Sequence, residues 1–122
     1  MQKKYRLSRK EDFTDVYRTG KSVANYQFIL YYKRNEALNH FRLGISASRK
    51  IGGAVVRNRV RRRLKEIFRL HADEIQGGYD LVLIVRKAAV EMEYAALAGS
   101  VRHILKKAGL LKPNPDGKNT RT

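Results

Sequence analysis

One amphipathic segment, residues 54–71, constrains the fold more than any other part of the chain. On a helical wheel of about 100° per residue its large apolar side chains fall within an arc of roughly 120°; they are Val56, Val60, Leu64, Ile67 and Phe68. The neighbouring arc of roughly 140° is polar and mostly cationic; it holds Arg57, Asn58, Arg61, Arg62, Lys65 and Arg69. The segment therefore predicts a helix that packs on one side and presents a cationic wall on the next.

The positive charge of the chain is concentrated in and just before this predicted helix. The 122 residues carry 27 Lys and Arg against 11 Asp and Glu, a net charge of +16. Nine of the cations and a single acid lie between Arg49 and Arg69. Such a one-sided distribution is typical of a surface that binds a polyanion, and nucleic acid is the expected partner. A merely solvated helix face is the less favoured alternative, because uncompensated arginines repel one another.

The N-terminal part of the chain predicts one helix and two strands. Residues 9–19 have helical apolar spacing, with an S-x-x-E capping box at Ser8 and a helix-ending Gly20. Residues 23–33 are rich in aromatic and β-branched side chains and predict a strand, or two short ones. Residues 41–47 alternate between apolar and polar side chains and predict a second strand, expected to form a hairpin with the first.

The C-terminal part predicts a buried strand, a helix and a tail. Residues 79–85 are almost continuously apolar, as in a central strand that is covered on both faces. Residues 91–108 carry an apolar stripe at helical spacing, and Gly109 is the expected C-cap. The predicted fold is a single-domain α+β sandwich over residues 1–111, in which a small mixed sheet of about four strands packs with three helices. Residues 112–122 lack large apolar side chains and are expected to be a disordered tail.

The composition excludes several kinds of site. There is no Cys, which excludes disulfides, thiolate chemistry and Cys-ligated zinc. No apolar run approaches the roughly 20 residues of a membrane span. The basic N-terminus is not followed by an apolar stretch, so we expect a cytoplasmic protein without a secretory signal or a membrane partner. Asp80 is expected to be a turn residue, and neither the acids nor the three histidines are spaced as catalytic or metal-binding sets; the histidines are His40, His71 and His103.

Aromatic side chains cluster in the first helix and first strand. Phe13 and Tyr17 belong to the predicted helix, and Tyr26, Phe28, Tyr31 and Tyr32 belong to the strand region. Aromatic rings next to cations are how proteins hold single-stranded nucleic acid, with bases stacked and phosphates neutralised. About half of these rings are expected to be core residues. The sequence does not assign which ones.

The stretch from Ser46 to Phe68 resembles the bacterial ribonuclease P protein family. The family motif R-N-R stands here as Arg57-Asn58-Arg59 on the basic helix, after a K-I-G-x-A pattern that begins at Lys50. Matching flanking features are Asp12-Phe13 in the first helix, Ala24-Asn25 before the first strand and Val85-Arg86-Lys87 after the last. The resemblance spans about residues 4–108.

The resemblance implies the protein subunit of an endoribonuclease that removes the 5′ leader from precursor tRNA. The implied partners are the catalytic ribonuclease P RNA and precursor tRNA, with no DNA. The RNA carries the chemistry and holds the Mg²⁺, so this chain alone is not expected to be catalytic or to bind a metal tightly. The implied fold has a left-handed crossover through the basic helix. A generic basic RNA-binding module, such as a ribosomal protein or RNA chaperone, is the alternative.

The resemblance also implies two sets of site residues. The RNA-binding set lies in and before the basic helix and consists of Arg49, Lys50, Arg57, Asn58, Arg59, Arg61, Arg62 and Lys65. The leader-binding cleft is implied at Phe13, Tyr17, Tyr31, Lys50 and Arg86. Arg59 lies behind the main cationic arc, so it is expected either to contact RNA or to pair with Glu66 or Asp73.

Overall fold

The computed structural model describes residues 2–113. Its elements follow in the order α1 (Lys10–Thr19), β1 (Lys21–Ala24), β2 (Phe28–Arg34), β3 (Phe41–Ser46), α2 (Ala54–Leu70), β4 (Tyr79–Val85) and α3 (Tyr94–Lys107). The predicted α+β class, with three helices and a four-stranded mixed sheet, is confirmed. The region predicted as one strand, or two short ones, forms β1 and β2, which are separated by a turn at residues 25–27.

The strands are ordered β1-β2-β4-β3 across the sheet. β1 pairs with β2 and β2 with β4 in antiparallel fashion, whereas β3 and β4 are parallel. The expected hairpin between β2 and β3 is therefore wrong, since β4 lies between them. The central, buried position predicted for β4 is confirmed, because five of its seven residues are buried. α2 is the crossover that joins the parallel neighbours β3 and β4.

The two faces of the sheet are covered unequally. α2 and α3 pack on one face over the main core, whose largest fully buried members include Phe28, Leu30, Phe41, Leu64, Phe68 and Leu83. α1 alone covers part of the other face, over a small cluster of Leu7, Val16 and Val82. Phe13, Tyr31 and Ile84 are only partly buried beside this cluster. The α1 face of the sheet is therefore where side chains remain accessible.

The start of α1 differs from the prediction. Arg9, not Ser8, occupies the N-cap position, and no side chain caps the helix. The backbone N–H of Leu7 donates to the carbonyl of Leu43 (2.9 Å), and Arg6 forms a parallel bridge with Leu43, so the chain stays extended along β3 up to Arg9. The predicted helix end is confirmed, since Gly20 N–H donates to the carbonyl of Val16 (2.9 Å).

The C-terminal helix begins three residues later than predicted. α3 starts at Tyr94, and Gly109, with a φ of 75°, follows its last turn as expected for a C-cap glycine. After the helix, Leu111 forms a bridge with Ile75, and Lys112 N–H donates to the carbonyl of Glu74 (2.7 Å). The tail predicted to be disordered lies outside the described residues from position 114 onward.

No helix within residues 2–113 has the length and apolar character needed to cross a membrane.

Candidate nucleic-acid interface

The predicted RNA-binding residues of α2 are all at least partly exposed. Asn58, Arg59 and Arg62 are exposed, whereas Arg57, Arg61 and Lys65 are half-buried along the margin of the packed side. A shallow depression runs along this face and is lined by Asn58, Arg61, Arg62, Lys65 and Glu66. Four of the six predicted RNA-binding residues of α2 therefore line one continuous surface; they are Asn58, Arg61, Arg62 and Lys65.

Neutral groups hold Arg61 at the margin of this surface. Arg61 donates to the side-chain oxygen of Asn58 (3.2 Å) and to the carbonyl of Ala47 (3.3 Å), which fixes the segment between β3 and α2. The Nε atom of Arg57 is buried, and no residue within 2–113 accepts a hydrogen bond from it. Because neither the amide of Asn58 nor the carbonyl of Ala47 carries a charge, the positive charge of Arg61 is oriented without being neutralised.

The single acid of α2 is engaged within the helix. Arg69 donates to both carboxylate oxygens of Glu66 (3.1 and 2.7 Å), and these hydrogen bonds lower the pKa of the Glu66 carboxyl. The alternative that Arg59 pairs with Glu66 is therefore wrong. Asp73 makes no ion pair within the described part of the chain. Arg59 is exposed, and its charge remains available to a polyanion.

Two of the predicted cleft aromatics meet on the α1 face of the sheet. The rings of Tyr17 on α1 and Tyr31 on β2 pack edge to face, with centroids 5.1 Å apart and planes at 84°. Tyr17 is 39% exposed, and an edge-to-face pair leaves ring faces open to a further aromatic group. Phe13, one helical turn earlier, lies over Gly44 of β3. α1 therefore runs across the sheet, with Phe13 over β3 and Tyr17 over β2.

A line of cross-strand neighbours crosses the sheet beside α1, and we call this strip of the α1 face the groove. Ser46 of β3 lies opposite Ile84 of β4, Ile84 opposite Ile29 of β2, and Ile29 opposite Ala24 of β1. We call these four residues the floor row. The first three are half-buried and Ala24 is exposed, so the groove is open to solvent. Three strand spacings give the floor row a length of about 14 Å.

Cations stand on the side of the floor row opposite to α1. Lys50 is exposed in a short 3-10 turn, Arg49–Ile51, that follows β3. Arg86 is exposed just after β4, and its guanidinium donates to the carbonyl of Asn25 (3.3 Å). The groove therefore has aromatic rings along one side and cations along the other. Its Lys50 end adjoins the cationic face of α2, because residues 47–53 connect the two.

One buried ion pair was missed by the sequence reasoning. Arg42 of β3 donates from Nε and Nη2 to the two carboxylate oxygens of Asp80 (2.7 and 3.0 Å), and Asn35 donates to the same carboxylate (3.1 Å). The hydrogen bond from Arg42 to Asp80 raises the pKa of the guanidinium. The prediction that Asp80 is a turn residue is wrong, because Asp80 is the second residue of β4 and is buried. No local pattern reveals a contact between residues so far apart in sequence.

Within residues 2–113 there is no cluster of three or more His, Asp or Glu side chains that could hold a metal ion.

A cationic helix face that adjoins an aromatic groove defines a single-domain α+β protein that binds a polyanionic chain. The family model described as Ribonuclease P matches residues 1–109. The chain therefore belongs to the ribonuclease P protein family, whose members are protein subunits of an endoribonuclease. Membership of this family implies an RNA partner.

Individual relatives agree with this assignment over nearly their whole length. The ribonuclease P protein component of Listeria welshimeri is 42% identical over 116 residues, which covers 95% of this chain and 98% of the relative. The component from Staphylococcus epidermidis is 45% identical over 106 residues, with 87% and 91% coverage. The solved RNase P protein of Staphylococcus aureus matches with a TM-score of 0.83 at 40% identity, covering 88% of this chain and 98% of that one. The Thermotoga maritima protein matches with a TM-score of 0.78 at 32% identity, with 84% and 96% coverage.

Proposed function

We propose that this chain binds the catalytic RNA of ribonuclease P through α2 and holds the 5′ leader of precursor tRNA in the groove. It thereby aids endonucleolytic removal of the leader in the cytoplasm. The observation that carries the proposal is the Tyr17–Tyr31 pair at the edge of an open groove that continues into a cationic helix face. The RNA-binding role falls on Arg49, Lys50, Arg57, Asn58, Arg59, Arg61, Arg62 and Lys65, and the leader role on Phe13, Tyr17, Tyr31, Lys50 and Arg86.

The groove suits a single strand better than a duplex. Its floor is one row of side chains, and its aromatic side offers ring faces to bases that are not already paired and stacked. Stacking one base on an aromatic side chain is worth about 1–3 kcal/mol. The leader is the part of the substrate that mature tRNA lacks, so stacking in the groove favours precursor over product.

In this proposal the hydrolytic chemistry belongs to the RNA partner and its Mg²⁺ ions. This chain supplies orientation and charge: Lys50 and the α2 cations neutralise phosphates where the leader meets the catalytic RNA. The groove then keeps the leader on a defined path away from that point. Binding of this kind raises the affinity of the assembled enzyme for precursor tRNA without a catalytic side chain from this protein.

Two tyrosines of equal exposure allow a matched test of the groove. Tyr17 and Tyr94 are both 39% exposed, but only Tyr17 lies in the groove. With the assembled enzyme, Tyr17→Leu should weaken binding of leader-bearing precursor by about fivefold or more, which corresponds to the lower limit for one stacked base. Binding of mature tRNA should change little, and Tyr94→Leu should affect neither. Equal losses on precursor and mature tRNA would contradict binding of the leader in the groove.

The division of labour is tested by cleavage of precursor tRNA at low Mg²⁺. A bacterial ribonuclease P RNA alone, this protein alone and the mixture are compared under the same conditions. Strong cleavage is expected only in the mixture. Absence of stimulation by the protein, or cleavage by the protein alone, would each contradict the proposal.

A further inference from the structure

Tyr26 is a large aromatic side chain that the fold leaves in solvent. It is 76% exposed, about twice as exposed as Tyr17 or Tyr94. A ring in this position adds little to the core, since hydrophobic stabilisation scales with the apolar area removed from water. Its place in the turn between β1 and β2 therefore needs an explanation other than packing.

The turn that carries Tyr26 is fixed on both sides of that residue. The side-chain oxygen of Asn25 accepts hydrogen bonds from the backbone N–H groups of Gln27 (3.0 Å) and Phe28 (2.8 Å). The Asn25 amide donates to the carbonyl and the hydroxyl of Ser100 on α3 (both 3.1 Å), and that hydroxyl donates to Gln27 (2.8 Å). Tyr26 is thus an exposed ring on a rigid support, so its backbone loses little freedom when a ligand stacks on it.

Two cations donate hydrogen bonds to the carbonyls of the two residues directly before Tyr26. Arg86 donates to the carbonyl of Asn25 (3.3 Å), and Lys107 on α3 donates to the carbonyl of Ala24 (2.7 Å). Both acceptors are neutral backbone groups, so both positive charges remain available to phosphates. An exposed ring close to cations that form no ion pair within residues 2–113 is an arrangement with which proteins bind single-stranded nucleic acid.

The turn also lies where the groove leads. The floor row begins at Ser46, beside Lys50 and α2, and ends at Ala24 on β1. Asn25 and Tyr26 directly follow Ala24, on the same side of the row as Arg86. A strand that enters the groove near α2 and passes Tyr17 and Tyr31 therefore leaves it over β1, next to Tyr26.

We propose that Tyr26, with Arg86 and Lys107 bound to the backbone just before it, is a second base-stacking position for nucleotides of the leader that lie upstream of those held at Tyr17 and Tyr31. This assignment rests on the proposed function, because it takes the groove as the path of the leader. It extends the binding site from the α1 side of the groove to its exit over β1. It makes the contribution of Tyr26 depend on leader length.

A series of precursor tRNAs with leaders of increasing length tests the assignment in the assembled enzyme. Tyr26→Leu should leave affinity for the shortest leaders unchanged and lower affinity for long leaders by about fivefold, which corresponds to the lower limit for one stacked base. Tyr26→Phe keeps the ring face and should behave as wild type at every length. Tyr94→Leu is the control for removal of an exposed tyrosine elsewhere.

The outcomes separate this assignment from the proposed function. Loss with Tyr17→Leu at all leader lengths, together with no loss with Tyr26→Leu at any length, would overturn the second position alone. An equal loss with Tyr26→Leu at short and long leaders would also overturn it, because the effect would not depend on reach. If Tyr17→Leu lowered affinity for precursor tRNA no more than affinity for mature tRNA, the groove itself would be overturned.

A fluorescent base analogue placed at successive leader positions gives an independent readout. In the wild-type enzyme its emission should be quenched at two leader positions: one near the cleavage site, where the base stacks at Tyr17, and one further upstream, where it stacks on Tyr26. Tyr26→Leu should abolish only the distant quenching, and an unchanged profile would contradict the assignment.

Discussion

The ring of Phe13 on α1 rests directly on Gly44 of β3. A Cβ atom built on Gly44 would overlap Cζ of that ring and lie 2.7 Å from its Cε2. Real Cβ atoms do not approach other atoms this closely, so a larger residue at position 44 must displace either the ring or the helix. The absence of a side chain at Gly44 thus sets how low α1 lies over the sheet, and with it the height of the aromatic side of the groove.

Substitution Gly44→Ala is expected to lower both stability and leader binding. The added methyl group overpacks the site, which costs about 1–3 kcal/mol of unfolding free energy, measured by urea denaturation. Because Phe13 must move, affinity for precursor tRNA should fall more than affinity for mature tRNA. Gly99→Ala on α3 is the control: its Cβ would meet nothing within 4 Å, and it should raise stability by about 0.5–1 kcal/mol. A Gly44→Ala protein as stable as wild type would contradict the close packing of Phe13.

Removal of one member of the Arg42–Asp80 pair is expected to destabilise the fold. The Asp80 side chain is 9% exposed and that of Arg42 is 25% exposed, so Asp80→Ala leaves a largely buried guanidinium with only the more distant Asp12 carboxylate (3.7 Å) as a partner, at a cost of about 3 kcal/mol. The double variant Arg42→Met/Asp80→Leu should recover most of that loss in urea denaturation. Asp15→Ala breaks an exposed pair with Lys33 and should cost less than about 1 kcal/mol. A single variant no less stable than the double one would argue against the ion pair as the cause.

The salt dependence of RNA binding should distinguish cations that meet RNA from those that are paired within the protein. Arg62 is exposed on the α2 face, so Arg62→Ala should reduce the log–log slope of affinity against salt by about 0.7–0.9. Arg102 forms an ion pair with Glu74, so Arg102→Ala should leave the slope unchanged. Filter-binding or fluorescence titrations with the catalytic RNA over a range of salt concentrations measure both. If wild type, Arg62→Ala and Arg102→Ala gave equal slopes, Arg62 would lie outside the RNA interface.

Glu74 should give the fold a small pH-dependent stabilisation. Burial raises the pKa of this carboxyl, but hydrogen bonds from Arg102 and His71 outweigh it, so the pKa lies below its ordinary value of 4.5. The unfolded chain therefore takes up the proton first as pH falls. The stabilisation is complete above about pH 4.5 and is lost as pH drops through the lower pKa of the folded state.

The variant Glu74→Gln tests this dependence by urea denaturation at several pH values. It should be less stable than wild type at pH 7 by less than about 1 kcal/mol, because the carboxylate is 45% exposed. The difference should shrink as pH falls below 4.5. The neighbouring Asp73→Asn serves as the control, since Asp73 makes no ion pair within residues 2–113. A difference that persists at low pH would mean that the carboxylate charge is not its source.

Elements with a strong local pattern were predicted closely from the sequence. α2 was expected over residues 54–71 and β4 over 79–85, and they are found at 54–70 and 79–85. In both cases periodicity and apolar character are properties of adjacent residues. The cationic half of the site was predictable for the same reason, since it lies on one helix.

Features that depend on distant contacts could not be predicted in this way. The alternating pattern of β3 predicts a strand but does not determine which strand pairs with it. Only the fold shows that this neighbour is β4. Ser8 has the right spacing for a helix cap, but the bridge between Arg6 and Leu43 keeps the chain extended beyond it. The floor row could not be predicted from the sequence for the same reason, because its four residues come from four different strands.

The central place of β4 bears on how the protein is made. β1 and β2 can pair as they emerge from the ribosome, but β2 and β3 lack their common neighbour until residues 79–85 have been added. At roughly 5–20 residues per second, α2 is complete roughly one to three seconds before β4. During that interval the nascent chain exposes the apolar stripe and the arginines of its most cationic helix together, next to the ribosome's own RNA. Because the sheet is completed late, the same positive charge that binds RNA in the folded protein can also bind ribosomal RNA before the chain has folded.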